Sequence, residues 1–536
     1  MSGESSFHHE GPGPGPTNLE GVLTVNKDAC RRIVEYANQT CDHKMLEQLK
    51  AWATEDHVVT SEMSGAGTFE VTHYHVRMDL AVELGVVPGK NVYYSSCDSD
   101  DGPQLALKSH GESTRPMHRF ADLVDRIPKA DREQMQAVLD ESLGMLQSAS
   151  QEHKFGLISK SDLIDLKRKL SDSLKDDLID ELNSVEFLPK AWCLACEQLC
   201  PSTPMAVDEL KHMRWLVGAG VVCCPFSKMS PNPPWCDKST LATLTFPFMC
   251  RFFEPDDVYT ECVAGFQESI FHDILNVTEG ALKSIISKPT NVNSAGTGYM
   301  LNYQIFSPTD IGVPTERNRK YCHWKGKGVA KPAVSFPELL FRRLDAKITV
   351  YLVAEQNEID IDEHSATKKR RAVAAAAAGS GAAFGGGASH LTESECSHLE
   401  GFQLLAKKKR LCDVSGKVWA VEAALVSVTQ TSCHNPTIST NSVQTLLRKT
   451  LLHDLVQNKQ VTTAEMWLIQ GFPRPGLQGV SELVSAKFPF PAAIAIHPSQ
   501  VGADSKLTVQ QERSLIGNSM HVAQVGHFLL HSALSK

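Results

Sequence analysis

The pair Cys223-Cys224 directly precedes Pro225 and follows Trp215–Val222, an apolar run that is typical of a strand. A cysteine at a strand end, ahead of a proline-containing loop, is exposed and can have a shifted pKa, and the thiolate is the nucleophilic form of this side chain. The pattern therefore indicates a candidate nucleophile for covalent catalysis. A buried structural thiol is the alternative, and it is the commoner role of a single cysteine.

Charged side chains also lie at or within two other strand-like runs. Glu261 comes directly after Asp257–Thr260, and a carboxylate there would lie at the carboxyl edge of a sheet, where α/β folds bind ligands. Arg317 and Arg319 are two apart in what we interpret as a strand, so their side chains would share a face and could grip a base or a phosphate. A solvated glutamate and a solvated basic edge are the alternatives.

A glycine turn, Gly65-Ala66-Gly67, lies between the β-prone run His57–Thr60 and the helix-like segment Val76–Leu84. Its glycines would let the backbone approach a ligand closely, and the following helix would add its N-terminal dipole. A second strand, Asn91–Ser95, ends near Asp98. This order predicts the opening of a doubly wound α/β domain, although an ordinary tight turn would give the same glycines.

Other elements surround this α/β core. Apolar spacing predicts a helix over 26–52, and the Asp-, Glu-, Lys- and Leu-rich sequence from about 124 to 212 predicts a helical insertion. The run Ala346–Ala354 predicts a strand, whereas 356–395, acidic and then Ala/Gly-rich, is typical of a flexible linker. Helical spacing returns over His521–Leu534.

The composition is that of a soluble globular protein: of 536 residues, 42% are hydrophobic and 21% are charged. A net charge of −9 argues against binding nucleic acid through bulk positive charge, although a local basic face would be enough. No apolar run approaches the roughly 20 residues of a membrane helix, and the N-terminus does not resemble a signal peptide. We therefore expect an intracellular protein without a membrane partner, whose 15 cysteines are mostly reduced.

Six motifs, in order along nearly the whole chain, resemble those of the cytosine carbon-5 methyltransferase family. The glycine turn resembles its cofactor loop, the Cys223 stretch resembles Pro-Cys-Gln, and Glu261-Cys262-Val263 resembles Glu-Asn-Val. Thr315-x-Arg317-x-Arg319 resembles Gln-x-Arg-x-Arg. The last two motifs of the family resemble Thr463–Pro473 and Gly517-Asn518. Four positions depart from the family pattern: Val222, Cys224, Cys262 and Thr315.

The resemblance implies an α/β fold, with a doubly wound S-adenosylmethionine-dependent methyltransferase (Rossmann-like) domain, a helical insertion and a smaller target-recognition domain. The implied boundaries are a disordered tail over 1–19, a catalytic domain over 20–330, a target-recognition domain over 331–460, and a segment 461–536 that completes the catalytic domain.

The implied function is transfer of a methyl group from S-adenosylmethionine to carbon 5 of cytosine in DNA. Cys223 would be the nucleophile and Glu261 the acid at ring nitrogen 3. Arg319 would hold the carbonyl oxygen of the base, with Arg317 near the thiol and the phosphate. The implied cofactor-binding residues are Met63, Gly65, Gly67, Phe69, Asp98, Asp122, Pro225 and Asn518. Asp122 matches the aspartate that meets the adenine, while Asp98 and Asp100 both remain candidates for the ribose.

Two other functions stay open. The tRNA-methylating branch has counterparts of Gly265–Ser269 and Phe306–Thr309, but its Cys-Phe-Thr signature is absent from this sequence, which favours DNA. The altered motif positions would also suit a non-catalytic nucleic-acid-binding relative. The basic runs Lys368–Arg371 and Lys407–Arg410 could contact a nucleic-acid backbone, direct nuclear import or lie in solvated loops. A nuclear location is favoured over a cytoplasmic one.

Three cysteines, Cys193, Cys196 and Cys200, have a spacing found in zinc sites, and His212 lies further along the chain. His212 alone does not supply the second pair of ligands that such a zinc pattern usually has. The sequence therefore favours free thiols, and we expect no metal.

Overall fold

The computed structural model describes residues 12–222, 226–227, 230, 232–276, 298–326, 332, 334–354, 391–409, 422–429, 437–447, 450–473, 480 and 507–535. They form two compact units. The sheet unit comprises the described residues of Val34–Ile305, Asn318–Ala333 and Phe528–Lys536, and the composite unit comprises those of Met1–Ile33, Phe306–Arg317 and Val334–His527. No helix in these described ranges is long and apolar enough to cross a membrane.

A nine-stranded sheet organises the sheet unit. Its strands are β1 His57–Glu62, β2 Asn91–Cys97, β3 His118–Phe120, β4 Lys190–Cys193, β5 Gln198–Pro201, β6 Arg214–Gly220, β7 Asp257–Val263, β8 Met300–Phe306 and β9 Arg319–Lys325. The order across the sheet is β5-β4-β3-β2-β1-β6-β7-β9-β8. Parallel pairing leads from β1 through β2 to β3 on one side, and from β1 through β6 to β7 on the other, whereas β9 runs antiparallel to β7. The predicted doubly wound α/β fold is confirmed.

Helices precede and connect these strands along the chain. Up to residue 276 they are α1 Leu19–Leu23, α2 Val25–Gln39, α3 His43–Thr54, α4 Thr68–Leu84, α5 Asp101–Lys108, α6 Lys129–Lys154, α7 Lys160–Asn183, α8 Thr240–Phe253 and α9 Glu268–Asn276. Strand β1 is buried at every position, as expected for a parallel strand with helices on both faces. The helix expected over 26–52 is two helices, because Cys41 has a φ of 52° and Asp42 caps α3 by accepting a hydrogen bond from the Met45 amide at 2.9 Å.

The predicted insertion contains two long helices, α6 and α7, that pack against each other. Leucines on both helices belong to the main hydrophobic core of the unit: Leu139, Leu146, Leu174, Leu178 and Leu182. A capping box at Ser159 and Asp162 begins α7. The insertion then ends in the β4–β5 hairpin, which extends the edge of the sheet beyond β3.

The composite unit has smaller elements. Its helices beyond α1 and α2 are Phe336–Leu340, Glu393–Lys408, Thr463–Ile469, Val509–Asn518 and Val522–Ser532, and its strands are β10 Leu425–Ser427, β11 Leu452–Asp454 and β12 Lys459–Gln460. The helix Val522–Ser532 continues from this unit into the sheet unit. It confirms the helix predicted over His521–Leu534.

Three local expectations are wrong. Ala346–Ala354 is not a strand: Ile348–Tyr351 forms a 3-10 helix that buries both of its terminal side chains, and a short apolar run does not by itself distinguish a strand from a buried helical turn. Disorder does not extend over all of 1–19, since Gly13 pairs with Arg342 and the Gly15 amide donates to the Asp345 carboxylate at 2.9 Å. The last linker residues are helical, because Thr392 caps a helix that starts at Glu393.

The basic run Lys368–Arg371 and most of the predicted linker lie outside the described residues. Of the second basic run, Lys407–Lys409 ends the helix that starts at Glu393, and Arg410 lies outside the described residues. The segment expected to complete the catalytic domain, 461–536, is divided: its described residues up to His527 belong to the composite unit and the rest to the sheet unit.

Candidate active site

The strand order reverses between β1 and β6, and the loops that leave the carboxyl ends of strands meet at one edge of such a sheet. Doubly wound sheets bind ligands in the crevice at this switch point. Glu62 ends β1, Cys97 ends β2, Gly220 ends β6 and Val263 ends β7. The glycine turn, Asp98, Glu261 and the segment Val221–Val222 that follows β6 thus all belong to the carboxyl edge of one sheet.

The glycine turn after β1 has a left-handed backbone at three positions. Met63, Gly65 and Gly67 have φ values of 50°, 57° and 74°. The Gly65 amide donates a hydrogen bond to Asp98 Oδ2 at 2.9 Å, which ties the turn to the end of β2. At Gly67, an added Cβ would lie 2.3 Å from the Cε1 atom of His110, so the packing of the protein itself favours glycine there.

A buried hydroxyl network lies beneath the turn and was not foreseen from the sequence. Ser61 Oγ contacts Ser64 Oγ at 2.6 Å and Ser96 Oγ at 3.1 Å, and both Ser61 and Ser96 donate to the carboxylate of Glu70 on α4. Ser64 Oγ also donates to the Cys97 carbonyl at 3.1 Å. The network joins β1, β2 and α4, and the serines at both strand ends were its only sequence signal.

Phe69, one of the predicted cofactor residues, is 3% exposed. Its ring packs 5.5 Å from the Tyr259 ring, and an added Cβ at Gly218 in β6 would lie 2.4 Å from it. Phe69 therefore supports the first turn of α4 from the interior, and its contact with a cofactor stays a prediction.

The acidic candidates differ in their surroundings. Asp98 is half-buried and accepts from the amides of Gly65 and Asp100, whereas Asp100 is exposed. Asp122 follows β3, accepts from the Val124 amide at 3.1 Å, and has its pKa raised by burial. Gln104 Nε2 donates to the carbonyls of Asp98 and Phe120, each at 2.7 Å, so one side chain sets the spacing between the ends of β2 and β3.

Glu261 and Arg319 form an ion pair at the end of β7. Arg319 Nε lies 3.0 Å from Glu261 Oε1, and their side chains are 9% and 6% exposed. The antiparallel register of β7 and β9 brings them together, since Val263 pairs with Arg319 and Glu261 with Tyr321. The sequence had named both residues, and the structure brings them into contact.

Cys223, Cys224 and Pro225 lie outside the described residues, so their assignments stay predictions. The described residues on each side of them are well packed. Val221, two positions before Cys223, donates its amide to the Glu261 carbonyl at 3.0 Å. Phe226, three positions after it, packs edge-on against Trp235 and Phe266, with ring centroids 4.9 and 5.2 Å away.

Arg317 does not share a strand with Arg319, as the sequence had suggested, because β9 begins at Arg319. Arg317 belongs to the composite unit, where its Nη2 donates to the Ser519 carbonyl at 2.8 Å and its own carbonyl accepts from Gln524 at 3.1 Å. The two arginines are therefore not neighbours on one face of a shared strand.

Within the composite unit, the last three motifs contact one another. Thr315 Oγ1 donates to the Ile469 carbonyl at 3.2 Å, and Gln470 Nε2 donates to the Ile516 carbonyl at 2.9 Å. Asn518 is exposed at the end of the helix Val509–Asn518. The sequence had given the order of these motifs, and the structure shows that they meet.

No family model and no curated protein matches this chain. Solved structures similar to it include the methyltransferase EhMeth of Entamoeba histolytica, at 13% identity over 89% of this chain and 98% of that chain, with a TM-score of 0.36. A second, described as a prophage-encoded DNA modification methyltransferase from E. coli, has 11% identity over 89% and 98%, with a TM-score of 0.39. The S. pombe Dnmt2 methyltransferase has 14% identity over 88% and 96%, with a TM-score of 0.38. Likenesses this weak do not decide fold or function.

Proposed function

We propose that this protein is an S-adenosylmethionine-dependent DNA cytosine-5 methyltransferase that acts through a covalent Cys223 adduct. The observation that carries the proposal is the buried Glu261–Arg319 pair, with its 3.0 Å contact, at the carboxyl edge of a doubly wound sheet. Val221, two positions before Cys223, donates its amide to the carbonyl of Glu261. A nucleophile, an acid and a fixed cation are the groups that this chemistry requires.

The pair suits the recognition and activation of a cytosine ring. The guanidinium of Arg319 stays charged and offers several N–H donors, which fits the carbonyl oxygen of the base. Glu261 can protonate or hydrogen-bond ring nitrogen 3 while the Cys223 thiolate adds to carbon 6. Carbon 5 would then become enamine-like and could accept a methyl group from S-adenosylmethionine, whose S–CH3 bond would break to leave S-adenosylhomocysteine. Loss of the carbon-5 proton, followed by elimination of the thiolate, releases the product.

The glycine turn and the two aspartates fit the proposed cofactor. S-adenosylmethionine has donors in its ammonium group, ribose hydroxyls and adenine amino group, and these match carboxylates and a close backbone. Gly65 and Gly67 let the backbone adopt left-handed φ values, and Asp98 and Asp122 follow adjacent strands. The cofactor would supply an electrophilic methyl sulfonium, while these residues would bind and orient it.

A duplex hides carbon 5, so the target base would have to flip out of the helix. The protein has a net charge of −9, and a locally basic face would therefore have to contact the phosphates. We include a nuclear location in this proposal because DNA is the proposed substrate.

A tRNA cytosine is the second candidate substrate. It is favoured by Gly265–Ser269, which follows β7, and by Phe306–Thr309, both of which resemble the tRNA-methylating branch. The helix α9 begins within the first of these segments, and Glu268 there forms an ion pair with Lys320 next to Arg319. The same catalytic residues would serve either nucleic acid.

The test is methyl transfer from tritiated S-adenosylmethionine to duplex DNA and, in parallel, to unmodified tRNA. The proposal predicts label in the carbon-5 position of cytosine in DNA. Label in tRNA alone would move the assignment to the tRNA branch. Cofactor binding without transfer to either substrate would favour the non-catalytic relative.

A further inference from the structure

A cluster of one histidine and three cysteines lies at the β5 edge of the sheet, on strands other than the one that leads to the glycine turn. Among the described residues, His118, Cys193, Cys196 and Cys200 form a group whose candidate ligand atoms all lie within 4.8 Å of one another. His118 Nδ1 is 3.7 Å from Cys193 Sγ and 3.5 Å from Cys196 Sγ. The sequence had paired these cysteines with His212, which is exposed and is not part of the cluster.

The sheet itself brings these residues together. Strands β4 and β5 form a hairpin in which Ala191 pairs with Cys200 and Cys193 pairs with Gln198, so Cys193 and Cys200 share one face. Phe120 in β3 pairs with Cys193, and His118 lies two residues before Phe120 on that same face.

The turn of the hairpin supplies the fourth side chain, Cys196. The Glu197 amide donates to the Cys193 carbonyl at 2.8 Å, and Glu197 has a φ of 54°, which closes a tight turn around Cys196. Cys193 and Cys200 are buried, whereas Cys196 is exposed and leaves the cluster open to solvent on one side.

We propose that His118, Cys193, Cys196 and Cys200 bind one Zn²⁺ ion in a structural Cys₃His site. In a tetrahedral zinc site, Zn–S and Zn–N bonds of about 2.3 and 2.0 Å place a sulfur and a nitrogen ligand about 3.5 Å apart. The sulfur–nitrogen distances of 3.5 and 3.7 Å in the structure are close to this value. Four protein ligands fill a tetrahedral shell, so the site is of the closed, structural type and not a catalytic one.

The site has a clear structural role. The hairpin joins the rest of the sheet through a single ladder pair, Phe120 with Cys193, and its outer face exposes Trp192 and Leu199. Zinc would cross-link the hairpin to β3, in addition to two hydrogen bonds: the Leu194 amide donates to the Arg119 carbonyl of β3 at 2.7 Å, and the Tyr94 hydroxyl of β2 donates to the Pro201 carbonyl at 2.9 Å. Soft thiolates with imidazole select zinc over magnesium or calcium.

The first experiment measures the metal content of the full-length protein, purified under reducing conditions and reconstituted with Zn²⁺, by plasma mass spectrometry. We expect about one zinc per chain, released when a mercurial blocks the thiols. Replacement by Co²⁺ should give the intense visible bands and thiolate charge-transfer absorption of tetrahedral thiolate coordination. Absence of bound zinc, or a weak octahedral cobalt spectrum, would contradict the proposal without any variant.

Variants then assign the ligands. Cys196→Ser and His118→Gln should weaken zinc binding by more than about tenfold, since even outer-shell changes cost that much. Cys41→Ser is the matched control, because Cys41 is also an exposed cysteine of the sheet unit but lies outside the cluster. Unchanged zinc affinity in both ligand variants, or equal loss in the control, would overturn the assignment. Neither measurement depends on methyl transfer.

Discussion

Arg319 Nε lies 3.0 Å from Glu261 Oε1 at the carboxyl end of β7, in surroundings that leave both side chains less than one-tenth exposed. An ion pair so deeply buried is not a dependable source of stability, because desolvation offsets much of its attraction. Its position at the switch-point edge of the sheet instead suits a role with a substrate.

Replacing Glu261 with glutamine tests that role. Glutamine keeps the size of the side chain but cannot give up a proton, so we expect turnover to fall by roughly 100-fold or more, the scale of a lost general acid. Binding of S-adenosylmethionine, measured by calorimetry, should change little. The control is Glu55→Gln, since Glu55 also pairs with an arginine, Arg214, but at the opposite edge of the sheet. Near-normal turnover of a folded Glu261→Gln protein would remove the assigned role.

Gly67→Val tests the cofactor loop. The new Cβ would meet the His110 ring at 2.3 Å in a backbone with a φ of 74°, so we expect a loss of cofactor affinity of at least tenfold and a lower melting temperature. Gly85→Val is a matched control at the other end of α4. Gly85 has a φ of 65° but no atom within 4 Å of an added Cβ, so that variant has the backbone strain without the clash. Equal cofactor affinities in the two variants would contradict the assignment of this loop to cofactor binding.

Buried histidines make the stability of the protein depend on pH. Burial lowers the pKa of His527 to about 3, and its Nδ1 lies 3.0 Å from Asn26 Oδ1. Between pH values of about 6.5 and 3 the unfolded chain binds a proton here that the folded chain does not. The free energy of unfolding should therefore fall as the pH falls through this window, by up to about 1.4 kcal/mol per pH unit for this residue.

Urea unfolding at several pH values from 5 to 7 measures that dependence. We expect His527→Gln to reduce the slope of the unfolding free energy against pH by the share of one proton. A slope that is the same in wild type and His527→Gln would mean that His527 is protonated in the folded protein.

The sequence predicted the features that depend on local pattern. Short strand-like runs, the glycine turn and the order of the motifs predicted the doubly wound sheet, and Glu261 and Arg319 were named before their contact was known. The interpretation failed where distant pairing decides the outcome. Arg317 precedes β9 because the register with β7 starts the strand at Arg319.

The same reason explains the missed histidine. Spacing along the chain could relate Cys193, Cys196 and Cys200, but His118 lies 75 positions before Cys193 and reaches the cysteines only because β4 pairs with β3. The Glu70 network was hidden in the same way, since its serines lie on two strands that meet only in the fold.

The proposed mechanism requires a covalent bond between Cys223 and carbon 6 of the target cytosine. In the family motif the nucleophile lies two residues before the position of Pro225, three before Phe226 and four before Ser227, and Cys223 meets all three spacings whereas its neighbour Cys224 does not. Fluorine at carbon 5 blocks release of the carbon-5 substituent, so a 5-fluorocytosine substrate should trap the adduct.

The most direct measurement is peptide mapping of the complex formed with S-adenosylmethionine and DNA that contains 5-fluorocytosine, with a matching RNA in parallel. We expect the modified peptide to carry the base on Cys223, with the adduct abolished in Cys223→Ser and retained in Cys224→Ser. An adduct on Cys224, or no adduct with either nucleic acid, would contradict the mechanism.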